Sequence, residues 1–246
     1  MRYKLKYAVF TDRGDRDINE DSVGVYENEQ GSLCILCDGL GGHGMGDAAS
    51  SLVVQVFESQ FRKNIRADRF LAETFMASQD ILLADQIAKN AKRKMKTTAV
   101  ALVTDGKYAY IGHIGDSRLY IFKDGKVMKR TLDHSIPQML VLSGELDESE
   151  IRNHPDRSTI LRVLGIEWDE PMYELMAPVP LKKCDAFLLC SDGFWELIDE
   201  SQMCSLLETS SSPEEWLESM QKTVKKNGEG KDMDNYSAVA VRVVKE

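Results

Sequence analysis

Twice in this chain an apolar run ends in an aspartate followed by glycine, as Ile35-Leu36-Cys37-Asp38-Gly39 and as Leu188-Leu189-Cys190-Ser191-Asp192-Gly193. A third run, 108–114, leads into Gly115-Asp116-Ser117-Arg118, and a fourth, 237–244, follows Asp232-Met233-Asp234-Asn235. If the four runs are strands of one antiparallel sandwich, the end of one and the start of its neighbour meet at the same edge, and four aspartates converge. Carboxylates about 4 Å apart repel by roughly 4 kcal/mol at an effective dielectric of 20, so three such pairs oppose folding by on the order of 12 kcal/mol. That rivals the whole stability of a domain, and protons or cations must relieve it. Oxygen ligands without His or Cys suit the hard ions Mg²⁺ and Mn²⁺ better than zinc. Glycine after each acid lets the backbone approach an ion and offer its carbonyl. Any single Asp-Gly reads as a turn; four acids at strand ends read as a metal site.

Near the start, Arg16-Asp17-Ile18-Asn19-Glu20-Asp21 sets a guanidinium among acids, so its planar fork can hold an anion while the acids orient waters or a metal. Two neighbouring patterns fail. Asp15, Asp17 and Asn19 begin like a calcium loop, but its sixth and twelfth positions are Glu20 and Tyr26 instead of Gly and Glu. Gly39-Leu40-Gly41-Gly42-His43-Gly44 satisfies the dinucleotide-binding G-x-G-x-x-G. Asp38 would oppose a pyrophosphate there, and a second helix follows the first where that motif needs a strand ending in an acid. No G-x-S-x-G serine is present, and neither Ser117 nor Ser191 has a base beside it in sequence.

The surrounding elements follow from periodicity. Strand-length apolar runs fall at 7–11, 22–26, 33–37, 98–103, 108–114, 119–123, 186–190 and 237–244, and the Asp-Gly pairs at 105–106 and 124–125 suit tight hairpins. Between the third and fourth strands, 47–65 places Val53, Phe57 and Phe61 on one helical face, and 69–91 does the same with Leu71, Phe75 and Leu82. Ser212-Pro213-Glu214-Glu215 signals a later helix ending at Gly228. Locally pairing strands with grouped helices predict an α+β layered sandwich, not an alternating α/β fold. The stretch 134–164 is polar, without a strand signal, and holds two short helical pieces at 136–143 and 148–153; such an insertion overlies a site or an interface. No repeat or linker divides the 246 residues, which predict one domain.

Thirty-one Lys and Arg against 40 Asp and Glu leave a net charge of -9, which argues against nucleic acid as a partner. No run approaches the length of a membrane span, and 7–10 is too short for a signal peptide's apolar region, so the reading is a cytoplasmic protein without a membrane partner. Five cysteines in apolar runs suit reduced core thiols, and Cys34-x-x-Cys37 in a buried strand reads as packing.

Together, Arg16-x-x-Asn19-Glu20-Asp21, Asp38-Gly39-Leu40-Gly41-Gly42, Thr97-Thr98-Ala99, Gly115-Asp116-Ser117-Arg118, Asp133-His134-Ser135, Leu164-Gly165, Ser191-Asp192-Gly193 and Asp234-Asn235 resemble, in order, the motifs of metal-dependent PPM-type (type 2C) serine/threonine protein phosphatases. The resemblance covers about residues 7–244, and the compact length is similar to bacterial members. It implies a four-layer αββα sandwich, two central antiparallel sheets flanked by helix pairs, with a binuclear Mn²⁺ or Mg²⁺ centre. By carry-over Asp38 bridges both ions, Gly39 gives its carbonyl to one, and Asp192 and Asp234 hold the other. Glu20 and Asp21 act through coordinated waters, Asp116 with Asp192 marks a third, weaker metal site, Arg16 grips the substrate phosphate, and 134–164 is a flap. Catalysis then rests on Arg16, Asp38 and Asp192. A water shared by two ions has its pKa drawn from about 15.7 towards 7, and the hydroxide attacks phosphorus in line with no covalent enzyme intermediate. Implied partners are phosphoprotein substrates, among them a serine/threonine kinase and its targets, met by a monomer. The alternative is a sensor or binding protein on the same fold. Two departures stand out: eukaryotic relatives carry a histidine where this chain has Leu40, with His43 nearby as a loop residue, and a glycine where it has Lys96. Bound ions would offset much of the -9 charge.

Overall fold

The computed structural model describes residues 2–40 and 44–246. In chain order the elements are β1 (Tyr3–Asp12), β2 (Asp21–Asn28), β3 (Gly31–Leu40), α1 (Gly46–Phe61), α2 (Ala67–Ala88), β4 (Lys96–Thr97), β5 (Ala99–Thr104), β6 (Tyr108–Ile114), β7 (Arg118–Lys123), β8 (Lys126–Arg130), α3 (Ile136–Ser143), β9 (Glu174–Leu175), β10 (Val179–Pro180), β11 (Ala186–Cys190), α4 (Asp192–Trp195), α5 (Glu200–Thr209), α6 (Pro213–Gly228) and β12 (Tyr236–Lys245). A 3-10 turn at Glu148–Asn153 follows α3.

The strands form two sheets, ordered β1-β12-β11-β7-β8 and β10-β6-β5-β3-β2, with β4 and β9 paired to β3 and β6. Every pairing among the described residues is antiparallel. This excludes the parallel strand-helix-strand unit a dinucleotide site needs; the Gly41-Gly42-His43 part of that pattern lies outside the described residues. The layers follow from the period of two along each strand. Leu33, Ile35 and Cys37 of β3 face Phe57 and Phe75 of α1 and α2. Cys34 and Leu36 face Leu119, Leu189 and Val239 of the other sheet. The opposite face of that second sheet, with Tyr120, Leu188 and Ala240, is covered by Trp195, Met203, Trp216 and Met220 of α4, α5 and α6. These are the four layers expected. Cys34 and Cys37 therefore lie in different cores and cannot share a metal, and burial pushes the Cys34 thiol up to about 12.

The paired helices end earlier than periodicity predicts, at Phe61 and Ala88, because Asn64 and Asn90 take left-handed backbone conformations. The 136–143 helix is found at its expected bounds, with Ser135 accepting from the Gln138 amide and Gly144 left-handed beyond its end. Sequence periodicity misses β8, an edge strand with charged, mostly exposed residues, and α5, which buries only Met203 and Leu207. No helix among the described residues is long and apolar enough to cross a membrane.

Candidate active site

The antiparallel register brings the ends of β3, β6 and β11 and the starts of β2 and β12 to one end of the sandwich. Asp21 stands opposite Asp38 across β2 and β3, and Asp234 precedes the β12 residues that pair with the end of β11. A cavity of about 300 Å³ opens there, lined by Glu20, Asp38, Gly39, Leu40, Lys96, Ser158, Ile160, Asp192, Asp234 and Asn235. Of the expected ligands, Asp21 and Asp116 do not line it; they lie behind it, buried.

Neighbouring residues fix each acid. The Asp38 amide donates to Thr98 Oγ1 at 3.0 Å, and its carbonyl accepts from Thr97 Oγ1 at 2.8 Å and the Thr98 amide at 2.9 Å. The Thr-Thr pair, which carries no role when read from sequence, is thus the clamp on the central aspartate. Gly39 is packed so closely that a β carbon would come 2.3 Å from the Gly46 carbonyl oxygen and 2.6 Å from that of Glu20, so only glycine fits. Asn235 ties the Arg13–Glu20 loop: its Nδ2 donates to the carbonyls of Arg13 and Ile18, both at 2.9 Å, and its Oδ1 accepts the Glu20 amide at 2.7 Å. Ser191 Oγ donates to Asp21 Oδ2 at 2.8 Å, joining the two sheets beneath the cavity.

Asp116 is held from behind. Trp195 Nε1 donates to its carbonyl at 3.0 Å. The indole lies 3.4 Å beneath the guanidinium of Arg118, which is fully buried and doubly bonded to Asp133 at 2.9 and 2.6 Å. Arg16 stands at the rim, where its Nε and Nη2 grip Asp234 at 3.1 and 3.2 Å and its Nη1 holds Asp232 at 2.8 Å. It lines an adjoining cavity of about 350 Å³ with Arg157, Ser158, Glu196 and Lys231; Asp192, Asp234 and Ser158 border both spaces. The segment 134–164 reaches this junction through Arg157, whose Nε donates to Glu196 Oε2 at 3.0 Å.

Crowding shows in the protonation of the acids. Burial, then Asp192, Asp21 and Asp116, push the Asp38 carboxyl well above the usual carboxylate range. Burial, then Glu196 and Asp234, raise Asp192 to about 7. Burial raises Asp21 to about 6, against the hydroxyls of Ser237 and Ser191. Asp116 is lifted well above its ordinary value by burial and then by Asp192 and Asp133. Groups raised by burial and by like charge are those a cation would return to the ionised state. Asp21 Oδ1 and Asp116 Oδ1 are buried without a hydrogen-bond partner, two acceptors turned from any donor among the described residues. All-oxygen donors, convergence and orphaned carboxylate oxygens fit hard divalent cations.

One trio among the described residues sets potential ligand atoms within 4.8 Å of one another, His113, His134 and Glu174, and it lies outside this cavity. Its chemistry argues against an ion. His134 Nδ1 accepts the Gly115 amide at 3.1 Å, which leaves the neutral ring's proton on Nε2, and the two rings stack at 4.7 Å and 19°, so no ion lies in both ring planes. This pair ties the start of the 134–164 segment to the turn after β6.

The protein phosphatase 2C family model matches residues 12–236. The serine/threonine phosphatase stp of Listeria welshimeri is 32% identical over 212 residues, 82% of each chain. The serine/threonine protein phosphatase PstP of Mycobacterium tuberculosis is 32% identical over 243 residues, 98% of this chain but 45% of that longer protein. Among solved structures, the serine/threonine phosphatase Stp1 from Staphylococcus aureus superposes with a TM-score of 0.88 at 28% identity, over 98% of this chain and 96% of that one. The catalytic domain of PstP in complex with 2 manganese ions does so with a TM-score of 0.80 at 27% identity, over 99% and 100%.

Proposed function

The chain belongs to the protein phosphatase 2C family, and from that premise we propose that its carboxylate-walled cavity hydrolyses phosphoserine and phosphothreonine in proteins with two Mn²⁺ or Mg²⁺ ions. The observation that carries this reading is the gathering of Glu20, Asp38, Asp192 and Asp234 around one cavity, with Asp21 and Asp116 behind it. Asp38, Asp192, Asp234 and the Gly39 carbonyl would hold the two ions, Glu20 and Asp21 would act on them through water, and Asp116 with Asp192 would hold a third, more weakly bound one. Bound there, the ions supply a water acidic enough to ionise near pH 7 and positive charge for the phosphoryl oxygens.

The chain's own part is placement. Thr97 and Thr98 hold Asp38 by its backbone, so its carboxylate enters the cavity at one angle. Arg16 spends three N–H groups on Asp234 and Asp232 and keeps one on each of Nη1 and Nη2, a pair suited to an oxyanion at the rim. Leu40 brings no proton donor to the leaving alkoxide, and His43 lies outside the described residues. Residues 1–246 act as one phosphatase domain with a flap at 134–164. It works as a cytoplasmic monomer on phosphoproteins that include a serine/threonine kinase and its targets.

The test is release of phosphate from a phosphothreonine peptide with Mn²⁺ and with EDTA. Activity is expected only with the metal, and Asp38→Asn and Asp192→Ala are each expected to lower it by at least two orders of magnitude. Turnover that survives either substitution would show the ligand assignment to be wrong, and metal binding without turnover would favour the sensor reading.

A further inference from the structure

Lys96 occupies a special place beside this cavity. In β4 it stands directly opposite Leu40, and Thr97 opposite Gly39. Opposed residues on antiparallel strands project to the same face, so the lysine stem leaves the sheet beside Leu40, two positions from Asp38. Its root is held on both sides: Thr97 exchanges two backbone bonds with Leu164 at 3.2 and 3.0 Å, and the Met95 carbonyl accepts from Gln86 Nε2 at 2.7 Å. The side chain itself is partly buried and lines the cavity.

Among the described residues lining that space Lys96 is the one cation, facing Glu20, Asp38, Asp192 and Asp234. No ion pair among the described residues engages it; at the neighbouring cavity Arg16 and Arg157 are both committed to acids, and Lys231, which also forms no ion pair, lines that second space and not this one. The charge balance gives such a cation work. Six carboxylates exceed the charge of two divalent ions by two, and a phosphomonoester brings further negative charge to the same mouth. A compact ammonium on a flexible stem is the side chain that follows such a group.

We propose that Lys96 is a substrate-binding residue of this site, its ammonium contacting a non-bridging oxygen of the phosphoryl group. This rests on the phosphatase reading above. The test compares the full chain with Lys96→Met, which keeps the stem, and Lys96→Arg, which keeps the charge, using p-nitrophenyl phosphate and a phosphothreonine peptide. It also measures calorimetric binding of inorganic phosphate to the Mn²⁺-loaded protein. Lys96→Met is expected to raise KM for both substrates and Kd for phosphate by about tenfold, with Lys96→Arg restoring most of it and Mn²⁺ affinity equal or tighter. Unchanged phosphate binding overturns the proposal. So does a loss confined to the peptide, or one accompanied by weaker Mn²⁺ binding, which would place the lysine on the peptide or in the metal centre's framework. If the parent chain shows no Mn²⁺-dependent turnover, the phosphatase reading fails instead, and phosphate binding alone then judges Lys96.

Discussion

Asp192 shows how a single residue's protonation connects folding to chemistry. Its carboxyl releases its proton at about 7 in the folded chain, pushed there by burial and then by Glu196 and Asp234, against about 3.9 when unfolded. Between those values the folded chain holds more protons than the unfolded one, so this group's contribution to stability falls as pH rises from about 4 to 7 and stays low above. Asp192→Asn cannot ionise. In EDTA it is expected to match the parent near pH 4 and to exceed it above pH 7 by on the order of a few kcal/mol, as read from urea melts at both values. With Mn²⁺ the order should reverse under the proposed ligand set, in which the ion binds the ionised parent and the variant lacks one of its ligands. A variant that stays less stable than the parent at pH 8 in EDTA would contradict the repulsion.

At the scale of elements, the β6–β7 turn and the flap stand on buried ion pairs. Arg118 is 1% exposed and sits between Asp133 and the Trp195 ring, with Nη1 donating to the Tyr120 hydroxyl at 3.0 Å. Replacing it by methionine takes away both short bonds to Asp133 and leaves that carboxylate only the longer contact with Arg130 Nη1 at 3.4 Å, and the expected loss in urea unfolding is about 3 kcal/mol, the low end for a broken buried pair. Arg152 fastens the flap to α4 and α5, donating to the carbonyls of Trp195 and Ile198 at 3.0 and 3.3 Å and to Glu200 at 2.8 Å. Arg152→Ala is expected to speed amide hydrogen exchange across 148–165 while leaving the β3 and β5 amides protected. Equal loss of protection in both regions would mean that the flap does not open separately from the sandwich.

For the whole molecule, the net charge of -9 is unevenly placed, since six of the acids crowd one end of the sandwich. Ions that bind only the folded chain therefore stabilise it by mass action. At one hundred times its dissociation constant a single ion contributes about 2.7 kcal/mol, which for a chain of this size raises Tm by roughly 5–10 °C. Calorimetric scans with Mn²⁺ and with EDTA check this, and an unchanged Tm would remove the metal centre from the account.

β3 and β11, which lead into Asp38 and Asp192, and β5 between β3 and β6 were legible because both faces of each are buried, so they read as unbroken apolar runs ended by turn residues. α1 and α2 were legible because each turns one apolar face to the sheet. β8 and α5 were not, since an edge strand and a helix with two buried residues have little apolar pattern to show. The common end of the sandwich at which Asp38, Asp116, Asp192 and Asp234 stand thus follows from residue types at strand ends, whereas Glu20 and Asp21 were marked by the family resemblance. The tertiary structure alone decided which groups reach across the chain to position them. Arg16 meets Asp234 over 218 residues and Ser191 meets Asp21 over 170. Lys96 reaches Leu40 only through a two-residue strand. Local periodicity carries no information about such pairs, because it is the register of the folded sheets, and not neighbourhood along the chain, that sets them side by side.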